Sequence, residues 1–109
     1  MLELIKEALA KVWEWIKKIV VRIVSFVTHI VSFFRDPSRL RKLREDQNRI
    51  AVAIKERLDN GDYQVVNCLY DKEENSLVDP DEDAQVTTSK DLDRETRNAF
   101  RDKDMLVVQ

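Results

Sequence analysis

Nine apolar side chains recur at near-constant spacing through the N-terminal third of the chain: Ile5, Leu9, Val12, Ile16, Val20, Ile23, Val27, Ile30 and Phe34. The eight steps average about 3.6 residues, the period of a straight α-helix rather than the 3.5 of a supercoiled heptad. The opposite stripe runs through Glu3, Glu7, Lys11, Glu14, Lys18, Arg22, Ser25, His29, Ser32 and Asp36. The spacing therefore predicts one helix over 5–34, about 45 Å long, with two coherent faces.

From Ile19 to Phe34 the polar stripe narrows to Arg22, Ser25, Thr28, His29 and Ser32. Burying the nine stripe side chains would stabilise by roughly 15–25 kcal/mol, so such a surface needs a cover. Spanning a bilayer is marginal, because the apolar positions contribute about −3 to −7 kcal/mol and Arg22 returns about +3. Trp13 and Trp15, with lysines beside them, suit the membrane interface. A soluble helical core is the commoner use of an amphipathic helix, but the apolar width beyond residue 19 argues against it here. The expected contact residues are Trp13, Ile16, Val20, Ile23, Val27, Ile30 and Phe34, set against a membrane or against other protein chains, further copies included.

Asp36-Pro37 reads as a helix restart, with Asp36 as N-cap and Pro37 in the first helical position. A second helix is expected to run to about Asp59 and end at Asn60-Gly61. Arg35, Arg39, Arg41, Lys42 and Arg44 make its start a basic surface suited to anionic headgroups at the inner face of a membrane. Nucleic acid is disfavoured as a partner, since no aromatic residues interleave with these cations. A solvated helix face is the plainest use of such a run.

Beyond residue 61 the chain turns acidic. Residues 1–58 carry 13 Lys+Arg against 7 Asp+Glu, and residues 59–109 carry 6 against 14. Tyr63–Tyr70 is rich in β-formers and reads as a strand, Ser76–Asp79 as its hairpin partner and Gln85–Thr88 as a third strand. A short helix over Asp91–Arg101 and a final strand over Met105–Val108 follow. The expected architecture is α+β in three segments: a helix over 1–35, a basic helix over 36–61, and a small acidic sheet module over 62–109. On this reading the last module folds without residues 1–34.

No catalytic set emerges. The single glycine, Gly61, rules out glycine-rich phosphate loops. Cys68 lies mid-strand with no base nearby, and a free strand cysteine is ordinarily a small core residue. His29 has no second ligand at helical spacing. The acidic loop over 71–82 carries Ser76 where a calcium-binding loop needs glycine. Neither metal nor cofactor is expected. The sequence points to a non-enzymatic cytoplasmic protein, held at a membrane or self-assembled through its first helix, whose acidic module recruits or regulates a partner. The alternative is an accessory subunit whose apolar helix is buried in a larger complex.

Overall fold

The run Ile50-Ala-Val-Ala-Ile54 is apolar at every position and needs cover on every side. In the computed structural model, which describes residues 2–20 and 26–108 (backbone alone at 19, 20 and 26–29), it forms the middle of a strand. This strand, β2 (Arg49–Arg57), pairs antiparallel with β3 (Tyr63–Asp71) from Arg49↔Asp71 to Arg57↔Tyr63. Alternation sends Ile50, Val52, Ile54, Val66, Cys68 and Tyr70 to one face. Ala51, Ala53, Val65 and Leu69 go to the other. The connecting turn uses Asn60-Gly61 as a hairpin signal: Gly61 has φ 90°, and the Leu58 amide donates to the Asp62 carbonyl at 2.7 Å.

Among the described residues six strands form one mixed sheet in the order β1-β5-β3-β2-β6. β5 (Ala84–Ser89) lies antiparallel to β3, and β1 (Lys17–Val20) runs parallel to β5. β6 (Met105–Val107) is antiparallel to β2 at the far edge, and β4 (Ser76–Leu77) pairs with the end of β3.

Both faces are covered. α1 (Leu2–Val12), continued by a 3-10 turn over Trp13–Trp15, seats Ile5, Ala8 and Leu9 on the first face, with Ile16 just beyond. α2 (Phe26–Phe34) and α4 (Arg94–Phe100) cover the second with Ile30, Phe33, Phe34 and Phe100, joined by Leu92. Leu43 packs there from α3 (Pro37–Glu45). Asn67 and Thr87 are polar exceptions on this face: both are buried, and neither side chain finds a hydrogen-bond partner among the described residues.

The chain is thus α+β as expected, but its N-terminal half is built differently. The helix expected over 5–34 is divided into α1, the 3-10 turn, β1 and α2, with residues 21–25 outside the described set. The break falls where the β-branched Ile19 and Val20 can complete a ladder on β5. The second helix stops at Glu45, not Asp59. Asp46 becomes extended, with φ −146° and ψ 119°, and its carboxylate accepts the Asn48 amide at 2.9 Å before β2 begins. The expected N-cap is present, Asp36 accepting from the Arg39 amide at 3.2 Å.

α1 and α2 supply layers to opposite faces of the sheet, so the C-terminal module is expected to need them to fold. Deleting them should leave 35–109 without cooperative unfolding in urea. In the full chain Ile5→Ala should cost about 2–5 kcal/mol, read from the unfolding midpoint. A truncated chain with a sharp transition would show that α1 and α2 are not part of the folding unit.

Candidate functional site

α2 and α3 meet at a tight corner. The Arg35 amide closes the last turn of α2 on the Val31 carbonyl at 3.0 Å, and Asp36 caps α3 immediately afterwards. The far side of α3 is then pinned. Arg39 packs its guanidinium 3.8 Å from the Phe33 ring centroid and donates to the carbonyls of Phe33 at 3.1 Å and Glu82 at 2.8 Å. Its Nε lies 3.2 Å from Oδ1 of the buried Asp83. Lys42, one turn on, pairs with Asp79 at 2.8 Å and with Asp83. Hydrogen bonds to Asp79 and then Asp83 hold its ammonium pKa above the ordinary lysine value.

With 39 and 42 committed to the β4–β5 loop, helical geometry turns Leu40 and Arg44 the other way, with Leu43 between the two sides. They meet Val31, Phe34, Arg35 and Val108 around a groove of about 370 Å³. Val108 is fixed as part of its wall by its amide, which donates to the Ala51 carbonyl at 2.7 Å. The lining is apolar except for Arg35 and Arg44. Both are exposed, and among the described residues neither forms an ion pair. Planar guanidinium groups at the edge of an apolar trough recognise carboxylates flanked by apolar side chains.

A second groove, of about 410 Å³, lies between α1 and the sheet, lined by Leu9, Ala10, Trp13 and Val66. Its polar groups satisfy one another: Lys6 Nζ lies 3.6 Å from Glu56, and Gln64 donates to Glu56 at 3.1 Å. It therefore offers no unpaired charge to a ligand.

The residues expected to form a contact surface are distributed otherwise. Ile16, Ile30 and Phe34 are buried in the chain's own core, and Trp13 is half-buried beside Lys18, whose Nζ lies 5.2 Å from its ring centroid. Ile23 lies outside the described residues, as do the side chains of Val20, Val27 and His29. No helix among the described residues is long and apolar enough to cross a membrane. The basic run divides in two, with Arg39 and Lys42 in the internal network. Arg35, Arg41 and Arg44 remain exposed, Arg41 with Glu45 at 3.8 Å. Sequence reasoning missed Val31 and Val108 as groove residues. Leu40 and Leu43, three apart after the proline, were the available signal for the other wall.

Among the described residues no three metal-ligating side chains converge. The Asp71 carboxylate is occupied by the amides of Glu73 at 2.9 Å and Glu74 at 3.0 Å. No family model matches the chain, and neither the curated proteins nor the solved structures contain a significant match to it.

Cys68 is fully buried, and desolvation pushes its thiol from 9.0 up to about 12. In that interval the unfolded chain releases a proton that the folded chain retains. The stabilisation is complete below pH 9.0 and is lost as pH rises towards 12. Urea midpoints should therefore fall across this alkaline range, and Cys68→Ala should flatten that fall. An equal slope in the variant would assign the alkaline loss to other groups.

Proposed function

We propose that this chain is a non-enzymatic protein-docking module whose contact surface is the groove formed by α2, α3 and the chain leaving β6. One contrast carries the reading. Arg39 and Lys42 are consumed by internal carboxylates, whereas Arg35 and Arg44 face an apolar trough without a counter-charge among the described residues. The suited partner is a protein segment with acidic and apolar side chains, held by charge-assisted bonds at the rim and burial at the floor. A lone buried cysteine suits a cytoplasmic setting, and desolvation makes the Cys68 thiol a poor nucleophile.

The probe is an end-blocked peptide of alternating leucine and aspartate, titrated into the chain and followed by methyl resonances. Val31, Leu40, Leu43 and Val108 should shift together. Arg35→Glu with Arg44→Glu should weaken binding at least about tenfold, a change of about 1.4 kcal/mol. Equal affinity for a leucine–lysine peptide would remove the basis of the proposal.

Trp15 supports a second reading, peripheral contact with an anionic bilayer. It is 65% exposed and lies beside the exposed Lys17 and Lys18. Tryptophan emission should then shift to the blue on adding phosphatidylglycerol vesicles, and Trp15→Ser should abolish the shift. Unchanged emission would exclude this contact.

A further inference from the structure

A sheet that is not closed has two edges, and each presents unpaired backbone groups that natural proteins ordinarily guard with charge. Here the two edges differ. β1 carries Lys17 and Lys18 along its length, both exposed. β6 is Met105-Leu106-Val107, with no charge within the strand and Val107 52% exposed.

The hydrogen bonds of β6 show which of its groups remain free among the described residues. The Val108 amide donates inward to Ala51, and the Asp104 carbonyl accepts from Lys55 at 2.8 Å. With Leu106 opposite Ala53, residues 104, 106 and 108 face β2. Antiparallel alternation then directs the N–H and C=O of Met105 and Val107 outward. The side chains alternate in step: Leu106 and Val108 lie on the groove side of the sheet, Met105 on the α1 side.

We infer that the occupant of this edge and its groove is β6 of a second copy of the chain, joined antiparallel about a two-fold axis at Leu106. The inference rests on the docking reading above and names its partner. In the register Leu106 opposite Leu106, Met105 of each copy faces Val107 of the other. Four main-chain hydrogen bonds then satisfy every outward group of both strands. The same register places Asp104 of the second copy opposite Val108, on the face where Arg35 and Arg44 stand at the rim, unpaired among the described residues. Leu106 of the second copy extends the apolar wall, and its Met105 covers the exposed side of Val107. A register shifted by one residue loses both matches, because the acidic side chain moves to the α1 face. A three-residue strand is short, so the dimer is reversible rather than obligate.

Sedimentation of the full chain from about 10 μM to about 1 mM tests this. The weight-average mass should rise from 12.9 kDa towards twice that value, and the leucine–aspartate peptide should lower it again. Val107→Pro removes one outward N–H while leaving the ladder to β2 intact, and should hold the chain monomeric with its amide spectrum still dispersed. Val107→Lys, the ordinary guard of an edge strand, should do the same if the proline variant fails to fold. Arg44→Glu and Asp104→Arg should each raise the dissociation constant about tenfold, and the two combined should restore most of it. A chain that stays monomeric throughout yet still binds the peptide overturns the inference and leaves the docking reading standing. A monomer that ignores the peptide overturns both. A dimer unaffected by Val107→Lys also overturns the inference, by placing the interface elsewhere.

Discussion

The rest of the structure follows from a central pair of strands that cannot tolerate water on either face. β2 and β3 send Ile50, Val52, Ile54, Val66, Cys68 and Tyr70 to one side and Ala51, Ala53, Val65 and Leu69 to the other. A half-buried antiparallel pair would alternate apolar with polar, and this pair does not. Each face needs its own layer of helix, and the segments that can supply two layers lie on either side of the hairpin. α1 takes one face, while α2 and α4 take the other with help from α3. The apolar surface of the first 34 residues, which as an isolated helix demands an external cover, is in its described part mostly consumed by this need, with Leu4, Trp15 and Val31 left exposed. Ile5 and Leu9 sit over Ile54, Val66 and their neighbours, and Ile30, Phe33 and Phe34 over Ala51, Val65 and Leu69.

The opposite charges of the two halves find a comparable explanation within the chain. Arg39 and Lys42 from the basic half close on Asp79 and Asp83 from the acidic half, bringing α3 down on the loop between β4 and β5. Asp83 is buried, so its charge is tolerable only with both cations beside it and the Lys42 hydrogen bond in place. This network also sets the rotation of α3 about its axis. That rotation decides which arginines are spent inside and which are left at the groove.

Legibility in the sequence followed the kind of signal each element carries. Strands β3 and β5, the short helix α4 and the α3 cap were readable from β-branched runs, Asp-Pro and turn residues, all local cues. The failure over 5–34 was physical. A mean spacing of 3.6 survives a break in the helix if the segments on either side resume in phase, and nothing in the spacing reveals that residues 17–20 pair with a strand far along the chain. β2 failed for a different reason: Ile50, Ala51, Ile54 and Leu58 fit a helical face, and a run apolar on every side carries no phase to contradict it. The groove was half visible, in Leu40, Leu43, Arg35 and Arg44. Its other half depends on where the chain passes after β6, which no local pattern encodes.

The parallel ladder between β1 and β5 has a consequence for the order in which the molecule can be put together. The register Lys17↔Gln85 to Val20↔Thr88 joins segments from opposite ends of the chain. On a translating ribosome β1 emerges long before the strand it needs, and the β2–β3 hairpin is complete while its neighbour is still being synthesised. Contacts of such long sequence separation form slowly, and an apolar segment awaiting its place is exposed to every other surface in the meantime. Newly made chains therefore pass through an interval in which α1 and β1 must be shielded by something other than the finished fold, a natural point of engagement for chaperones.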